Sequence, residues 1–335
     1  MKKYKVAVVG VGAVGTEMVR LLIKRKFPFD SLTILARTER EEVIDGVSYL
    51  VKTTTPEAFE GINFAFFAGT EGEKGASQLF GWEAVKRGCI VIDNGDDFRM
   101  NPSVPLVIPE INPDALKNHK GFIANPNCST IIALMPLAPL HKLAGIKRIV
   151  ASTFQAVSGT GAPAVKELEV QARAWANGCS LPPRKVYLHQ IAFNVIPCVG
   201  SFKDDSGEST EEQKMRNEAR KIFGNSALRI STTCVRVPVF NGHSVAINVE
   251  LKEPVTPDEA RMILRSVPGV KVVDDPRGNI YPMPINASGG YDVLVGRIRN
   301  DPSVENGLAL WCSGDNIWKG AAQNAIQIAE CLLNK

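Results

Sequence analysis

Short apolar runs alternate with helix-like segments over the first third of the chain. The strand-like runs are Val6–Val9, Leu32–Leu35, Phe64–Phe67, Ile90–Ile92 and Phe122–Ala124. Helical periodicity is found between them, over Thr16–Lys24 and Gly75–Arg87. Because strands that alternate with helices in sequence pair in parallel, this pattern predicts an α/β domain with a doubly wound parallel sheet.

The pattern changes after about residue 148, where longer runs rich in β-branched and aromatic residues follow one another. These runs are Arg148–Val157, Ile230–Val239, Ser244–Leu251, Val293–Ile298 and Leu308–Cys312. They predict a mostly antiparallel sheet, with helices near Ala164–Ala176, Thr210–Phe223 and Pro257–Val267. We therefore expect two domains: residues 1–128 with 317–335, whose last helix Lys319–Leu333 returns to the first domain, and an α+β domain over 129–316.

A glycine-rich turn, Gly10-Val11-Gly12-Ala13-Val14-Gly15, follows the first strand and opens the first helix. This is the context in which G-x-G-x-x-G indicates a dinucleotide-binding domain of Rossmann type, with the pyrophosphate at the helix start. Gly10, Gly12, Ala13, Val14 and Gly15 are therefore candidate cofactor contacts. The alternative is a turn that serves only the packing of helix on strand.

The residues at the end of the second strand indicate whether the ribose of the cofactor carries a 2′-phosphate. A binder of the unphosphorylated cofactor places Asp or Glu there, whereas this chain has Arg37-Thr38. An arginine beside a hydroxyl can hold a 2′-phosphate, which favours NADP. Glu39 keeps the other cofactor open, since a shift of two residues restores an acid.

Cys128 lies in Asn127-Cys128-Ser129-Thr130, directly before a strongly apolar stretch that predicts a helix. A thiolate at a helix start is stabilised by unpaired backbone N–H groups and by the helix dipole. Cys128 is thus either a nucleophile for a carbonyl or one more small buried residue.

Composition and charge exclude several classes of protein. The 39 basic and 35 acidic residues are interspersed and give a net charge of +4, so no basic run follows a nucleic-acid backbone. The seven scattered cysteines form no C-x-x-C pair, which argues against a disulfide framework and against a metal site and favours a reducing compartment. No apolar stretch approaches 18 residues, so we expect a cytoplasmic protein that does not enter a membrane.

Among the four histidines, His243 is the best candidate for proton transfer. It lies in Asn241-Gly242-His243-Ser244, a turn between two predicted strands, whereas His119 and His141 fall in polar or helix-end positions. A lone histidine in a turn is more often structural than catalytic, so the structural role stays open.

Seven motifs together resemble the aspartate-semialdehyde dehydrogenase family, in the family's order from end to end. They are Asp93-Asn94 with Phe98-Arg99-Met100, Pro109-Glu110-Ile111-Asn112, Asn125–Thr130, Gln155–Gly159, Ile191–Pro197, Cys234–Val239 with Gly242-His243-Ser244, and Asp315-Asn316 with Lys319–Ala322. The resemblance implies a reversible, phosphate-dependent oxidation of aspartate 4-semialdehyde to 4-aspartyl phosphate with NADP, run reductively in lysine, methionine and threonine biosynthesis. It also implies a homodimer formed by the second domain, or a tetramer, with small-molecule substrates.

The same resemblance implies a role for individual residues. Cys128 would carry the acyl group as a thioester, His243 would act as acid and base, and Gln155 would orient the acyl intermediate. Arg236 would hold the substrate carboxylate and Glu211 its ammonium group. Phosphate ligands would be Arg99, Asn127 and Lys214, and further cofactor contacts would be Ser158, Gly159 and Asn316.

Two departures from the family pattern affect these expectations. The loop Gly10–Gly15 is one residue shorter than usual, and Gly95-Asp96-Asp97 stands where small hydroxyl residues usually precede Phe-Arg. An N-acetyl-γ-glutamyl-phosphate reductase type of enzyme is the alternative activity, although its neutral acetamide would leave Glu211 without a cation. A non-catalytic NADP-binding regulatory protein is the alternative from another class.

Overall fold

The computed structural model describes residues 2–69 and 75–333. The chain divides into two compact units, one made by the chain up to Asn127 and from Ala321 onward, the other by Cys128–Gly320. In the described residues the strands are β1 (Tyr4–Val9), β2 (Phe29–Ala36), β3 (Arg40–Ile44), β4 (Val47–Thr53), β5 (Phe64–Phe67), β6 (Ile90–Asp93), β7 (Phe122–Ala124), β8 (Ile146–Gln155), β9 (Arg229–Arg236), β10 (His243–Leu251), β11 (Val270–Val272), β12 (Val293–Asn300) and β13 (Gly307–Gly314).

The α-helices of the described residues are α1 (Ala13–Lys24), α2 (Trp82–Lys86), α3 (Cys128–Ala144), α4 (Ala162–Ala176), α5 (Thr210–Ile222), α6 (Pro257–Arg265), α7 (Pro284–Ala287) and α8 (Gln323–Leu333). Two single π-helical turns, Ser77–Gly81 and Trp318–Ala322, directly precede α2 and α8. The helices predicted over Gly75–Arg87 and Lys319–Leu333 are therefore each split into a π-helical turn and an α-helix.

The first unit contains a seven-stranded sheet in the order β3-β4-β2-β1-β5-β6-β7. Every pairing is parallel except the edge pair β3–β4. All four residues of the inner strand β5 are buried, as expected of a parallel sheet covered on both faces. The prediction of a doubly wound parallel sheet is confirmed. Strands β2, β4 and β3 lie on one side of β1, and the later strands β5, β6 and β7 lie on the other side, so the order of the strands reverses between β1 and β5.

The second unit contains a six-stranded sheet in the order β11-β12-β13-β10-β8-β9. Its three central pairings are antiparallel, and the two edge pairings β11–β12 and β8–β9 are parallel. The predicted antiparallel character thus holds for the centre of a mixed sheet. Strand β8 lies between β9 and β10, which brings the carboxyl end of β8 beside the carboxyl end of β9 and the start of β10.

Helix α3 is the central helix of the second unit. Most of its residues are buried, and it is apolar on all sides. Its second turn packs closely on β13, because a β-carbon on Gly314 would lie 2.8 Å from Cγ1 of Ile132. The helix begins at Cys128, which confirms that this thiol occupies a helix start.

Candidate active site

Cys128 is the first residue of α3 and is partly exposed, whereas Ser129 and Thr130 behind it are buried. A β-carbon on Gly320 would lie 2.8 Å from Cβ of Cys128, so only glycine fits there without displacing the cysteine. Gly320 in turn donates its N–H to the carbonyl of Asp315, at the end of β13. Asp315 follows Gly314, the pairing partner of His243, so these contacts lead from the thiol to the start of β10.

His243 is the first residue of β10 and is fully buried. Its Nδ1 accepts a hydrogen bond of 3.0 Å from the backbone N–H of Ala156. Its Nε2 is buried and has no hydrogen-bond partner in the described residues. Burial, and then the positive charge of Arg236, hold the pKa of His243 well below the ordinary value of 6.5.

Gln155, the last residue of β8, is buried and joins two further side chains. Its Nε2 donates to Oε1 of Glu211 at 3.0 Å, and its Oε1 accepts from the hydroxyl of Thr153 at 3.0 Å. The amide orientation is thereby fixed, because the donor faces the carboxylate and the acceptor faces the hydroxyl. The residues Gln155 and Glu211, 56 positions apart in sequence, thus meet in one buried group.

The two glutamates at the start of α5 have different hydrogen-bond partners. Glu212 completes a capping box with Ser209 and accepts the backbone N–H of Cys234 at 2.9 Å. Glu211, one position earlier, faces Gln155 instead. Lys214 lies one turn along the same helix and is half-buried. Glu211 is therefore a buried acid that is hydrogen-bonded to Gln155.

Arg236 ends β9 directly beside Gln155, its register partner in β8. It is 6% exposed, and its Nη1 donates to the carbonyl of Ala156 at 2.7 Å. A β-carbon on Gly159 would lie 3.0 Å from that Nη1 and 3.2 Å from Nε2 of His243. Arg236, His243 and the exposed Gly159 are therefore immediate neighbours.

Ser158 and Asn316 belong to a polar network at the same end of the sheet. The hydroxyl of Ser158 donates to Oδ1 of Asn241 at 3.0 Å and accepts from Nδ2 of Asn316 at 2.9 Å. Asn316 also accepts the backbone N–H of Gly242, next to His243. The structure thus brings Ser158 and its neighbour Gly159 together with Asn316, which is 158 positions from Ser158 in sequence.

The glycine loop of the first unit has the geometry that a dinucleotide pyrophosphate requires. Gly10 has φ +97°, in the left-handed region, and donates its N–H to the carbonyl of Leu35 at 2.8 Å. A β-carbon on Gly15 would lie 1.8 Å from the carbonyl oxygen of Gly10, whereas one on Gly12 would meet nothing within 4 Å. No acidic residue stands in the first turn of α1, so its N–H groups fit an anion.

Arg37 and Thr38 directly follow β2 and are exposed. They stand beside the glycine loop because β1 and β2 are paired in parallel and the N–H of Gly10 bonds to Leu35. Glu39 is exposed in the same turn and immediately precedes β3. Ala13 and Val14 open α1, so the predicted cofactor residues of this unit share one edge of the sheet.

Arg99 is a buried arginine held by backbone carbonyls of its own unit. Its Nε donates to Asn125 at 2.9 Å and its Nη2 to Asn94 at 2.6 Å. Asn127, in the same unit, is buried as well. Nearby Asp93 has its pKa raised to about 6 by burial. Lys214, the third predicted phosphate ligand, belongs to the second unit.

Three contributors to the site were not singled out as candidates from the sequence. Ala156 acts through its backbone, Thr153 orients Gln155, and Asn241 holds both Ser158 and Asp315. Thr153 alternates with Gln155 along β8, so strand periodicity places both side chains on one face. Ala156 lies within the motif Gln155–Gly159, but nothing in that motif indicates the role of its backbone.

None of the helices over residues 2–69 and 75–333 is long and apolar enough to cross a membrane. Over the same residues, no group of three or more His, Cys, Asp and Glu side chains could hold a metal ion.

Comparison with known proteins identifies two family models that together span most of the chain. Residues 5–119 match the NAD-binding domain of semialdehyde dehydrogenases, and residues 137–319 match their dimerisation domain. The boundaries of both matches lie within the two compact units. A nicotinamide dinucleotide is therefore the cofactor class of the first unit.

Curated relatives carry one name. The aspartate-semialdehyde dehydrogenase of Aquifex aeolicus is 47% identical over 99% of this chain and 98% of that protein. The enzyme of the same name from Bacillus subtilis is 44% identical over 98% of this chain and 96% of that protein. A crystal structure of aspartate semialdehyde dehydrogenase II from Vibrio cholerae, complexed with ASA, has a TM-score of 0.94 at 38% identity and covers 100% of this chain and 99% of that one.

Proposed function

The chain belongs to the aspartate-semialdehyde dehydrogenase family, and we propose that it works with NADP and phosphate through a thioester on Cys128. It is an oxidoreductase of amino-acid biosynthesis that interconverts aspartate 4-semialdehyde and the acyl phosphate reversibly. The observation that carries the proposed mechanism is a partly exposed cysteine at a helix start, in the same unit as buried His243, Gln155 and Arg236.

Cys128 enters the reaction as a thiolate, which the start of α3 stabilises. Its sulfur adds to the aldehyde carbon, so that a C–S bond forms and the electron pair of the carbonyl moves to oxygen. A bound nicotinamide dinucleotide would supply the acceptor for the hydride that leaves this carbon. The product is a thioester, which a phosphate oxygen then attacks while the thiolate departs.

The substrate is oriented by two buried groups of opposite charge. Arg236 pairs with its carboxylate, and Glu211 accepts its ammonium group. Because Gln155 donates to Glu211 and Glu211 also faces the ammonium group, one carboxylate couples substrate binding to the amide that orients the acyl group. An acetylated amine offers no charge to Glu211, which favours free aspartate semialdehyde over an N-acetylated substrate.

NADP is the proposed cofactor because Arg37 and Thr38 follow β2 where the ribose hydroxyls of a dinucleotide are bound. Gly10, Gly12, Ala13, Val14 and Gly15 would hold the pyrophosphate. The roles of Ser158, Gly159 and Asn316 toward the cofactor, and of Arg99, Asn127 and Lys214 toward phosphate, remain predictions from the resemblance to the family.

The second unit corresponds to a dimerisation domain, and we expect a homodimer. Large apolar side chains that are more than half exposed support this expectation; they include Trp175, Leu188 and Phe193, and the rings of Trp175 and Phe193 lie 4.8 Å apart. A tetramer stays a prediction. We place the protein in the cytoplasm, where a reducing environment keeps Cys128 a thiol.

The function is tested by measuring NADP reduction with aspartate semialdehyde, with and without phosphate, and with N-acetylglutamate semialdehyde in its place. We expect turnover that requires phosphate and the free amine. Faster turnover of the acetylated substrate would instead assign the alternative activity. Cofactor binding with no turnover of either aldehyde would favour a non-catalytic protein.

A further inference from the structure

The π-helical turn Trp318–Ala322 packs against Cys128, the proposed nucleophile. One of its hydrogen bonds runs from the N–H of Gly320 to the carbonyl of Asp315, five positions earlier, at 2.9 Å. An α-helical turn would bring the N–H of Lys319 to that carbonyl instead. Single π-helical turns are frequent at functional sites. The extra residue of this turn places a glycine, rather than a lysine, beside Asp315.

Gly320 makes the contact with Cys128. A β-carbon on Gly320 would lie 2.8 Å from Cβ and 3.3 Å from Cα of Cys128, closer than a real β-carbon approaches other atoms. Both residues belong to the second compact unit. Because the reacting sulfur is bonded to this Cβ, the position of Gly320 restrains where the sulfur lies at the start of α3.

Asp315 holds the start of the turn with its side chain, which is buried. Its Oδ1 accepts the N–H of Ile317 at 2.8 Å and the N–H of Trp318 at 2.9 Å. Its Oδ2 accepts the N–H of Gly289 at 2.7 Å and the side-chain amide of Asn241 at 2.8 Å. A side-chain oxygen that accepts N–H groups at the start of a helical turn acts as a cap. Asp315 thus joins the turn to two other segments of the second unit.

The carboxylate of Asp315 has no capacity left for substrate. Its two oxygens offer about four lone pairs, and four N–H groups of the protein occupy them. No step of the thioester chemistry uses this side chain. Asp315 therefore acts on the site only through the segments that it holds.

We propose that Asp315 is a positioning residue for Cys128: it fixes the π-helical turn, and the turn holds the nucleophile through Gly320. The inference rests on the proposed function, because it takes Cys128 as the nucleophile. A reacting atom that is misplaced by about 1 Å can cost roughly 10²-fold in rate. Loss of the carboxylate should therefore lower kcat, while Arg236 and Glu211 still bind the substrate and keep KM unchanged.

The kinetics of Asp315→Ala test the proposal, with Asp274→Ala as the matched control. The side chain of Asp274 is also fully buried, and it accepts the backbone N–H groups of Arg297 and Ile298 and the guanidinium of Arg261. None of these partners belongs to the site. We expect both variants to melt at a lower temperature, and only Asp315→Ala to lose kcat, by about ten- to one-hundredfold at an unchanged KM for aspartate semialdehyde. Equal kcat values in the two variants would overturn the proposal.

Asp315→Asn is the conservative variant. Its one carbonyl oxygen can still accept from Ile317 and Trp318, whereas its amide nitrogen cannot accept from Gly289 or Asn241. We expect its kcat to lie between those of wild type and Asp315→Ala. This variant decides the question by itself if the alanine variant does not fold, because a wild-type kcat in Asp315→Asn would contradict the positioning role.

Gly320→Ala tests whether the effect passes through Gly320. The added β-carbon would press on Cβ of Cys128, so kcat should fall and KM should again stay unchanged. If Asp315 acts through this contact, the loss of kcat in the double variant Asp315→Asn/Gly320→Ala should be smaller than the product of the two single losses. A loss equal to that product would show two independent effects and would defeat the proposed route.

Crystal structures of the full-length variants separate this inference from the activity, since they need no turnover. We expect the sulfur of Cys128 to be displaced by about 0.5 Å or more in Asp315→Ala, or in Asp315→Asn if only that variant folds. In Asp274→Ala the sulfur should keep its place. A sulfur at its wild-type position in the Asp315 variant would rule out the positioning role, whichever aldehyde the enzyme uses.

Discussion

At the scale of single residues, Ala156 holds two side chains of the site through its backbone. Its N–H donates to Nδ1 of His243, and its carbonyl accepts from Nη1 of Arg236. Both contacts are made by the backbone and leave no mark in the sequence. The site is therefore preorganised by main-chain geometry at the end of β8, where β9 and the start of β10 lie on either side.

The proposed preference for NADP rests on Arg37. We expect NADP to be preferred over NAD, and Arg37→Ala to narrow the ratio of the two kcat/KM values by about ten- to one-hundredfold, because a charge-assisted contact is worth roughly 1.5–3 kcal/mol. Arg265→Ala, which removes an equal charge from an exposed position of α6, is the control and should leave the ratio unchanged. Equal kcat/KM values for both cofactors in the wild type would show that Arg37 does not select the cofactor.

Stability should depend on pH through Asp93. Burial raises its pKa from 3.8 to about 6, while Oδ1 accepts from Ser77 and Gly95. A carboxyl whose pKa is raised by folding favours the folded state below about pH 4 and loses that contribution as pH rises through 6. We expect Asp93→Asn to melt at a higher temperature than wild type at pH 7.5, corresponding to a gain of up to about 3 kcal/mol in the free energy of unfolding. This gain should shrink toward pH 4.5.

The matched control for Asp93 is Asp205→Asn, which changes an exposed carboxyl of a loop. Its melting-temperature difference from wild type should stay flat over the same pH range. A flat difference for Asp93→Asn as well would mean that Asp93 ionises normally in the folded protein.

The residues of the site could be predicted in part from sequence. The motif around Cys128 indicated a helix start, and the helix begins at that residue. Proximity in space could not be predicted, since Gln155 and Glu211 are 56 positions apart and meet only because α5 packs on β9, the neighbour of β8. The hydrogen bond from the N–H of Ala156 to Nδ1 of His243 could not be predicted, because it depends on the position of a backbone group.

At the scale of elements, the turn from β1 into α1 shows why three glycines recur at fixed spacing. Gly10 provides a left-handed φ, Gly12 leaves open space at the helix start, and Gly15 lets the helix approach the strand. The sequence motif predicted this turn because each glycine has a separate steric reason. Substitution of Gly12 should therefore affect dinucleotide binding, and substitution of Gly15 should affect stability.

Gly15→Ala and Gly12→Ala form a matched pair. The β-carbon at Gly15 would lie 1.8 Å from the backbone oxygen of Gly10, so we expect a clear loss of melting temperature. The β-carbon at Gly12 meets nothing within 4 Å, so Gly12→Ala should keep the melting temperature and weaken dinucleotide binding, measured by fluorescence titration. Normal binding in Gly12→Ala would place the pyrophosphate elsewhere.

Elements were predictable where apolar periodicity is strong. Prediction failed where strand pairing is local and the strand residues are polar. The edge hairpin β3–β4 was missed because Arg40–Ile44 is mostly charged and exposed. The two π-helical turns were read as ordinary helix, since an extra residue in a turn changes the periodicity too little to be detected. Neither error touches the strands that carry Gln155, Arg236 and His243.

At the scale of the whole molecule, each unit has its own sheet and its own part of the chemistry. The first matches an NAD-binding domain and contains the glycine loop and Arg37, and the second matches a dimerisation domain and contains Cys128, His243 and Arg236. The change in hydrophobic pattern after the first third of the chain reflects this division. The central claim for the molecule is that its second unit carries an acyl group on Cys128.

Mass spectrometry of the protein mixed with 4-aspartyl phosphate, without dinucleotide, tests this claim most directly. We expect an aspartyl adduct on Cys128 that phosphate releases, and none in Cys128→Ala, which should bind NADP as the wild type does. Cys179→Ala, which removes an exposed cysteine, is the control and should keep the adduct. An adduct on another residue, or full turnover by Cys128→Ala, would contradict the account.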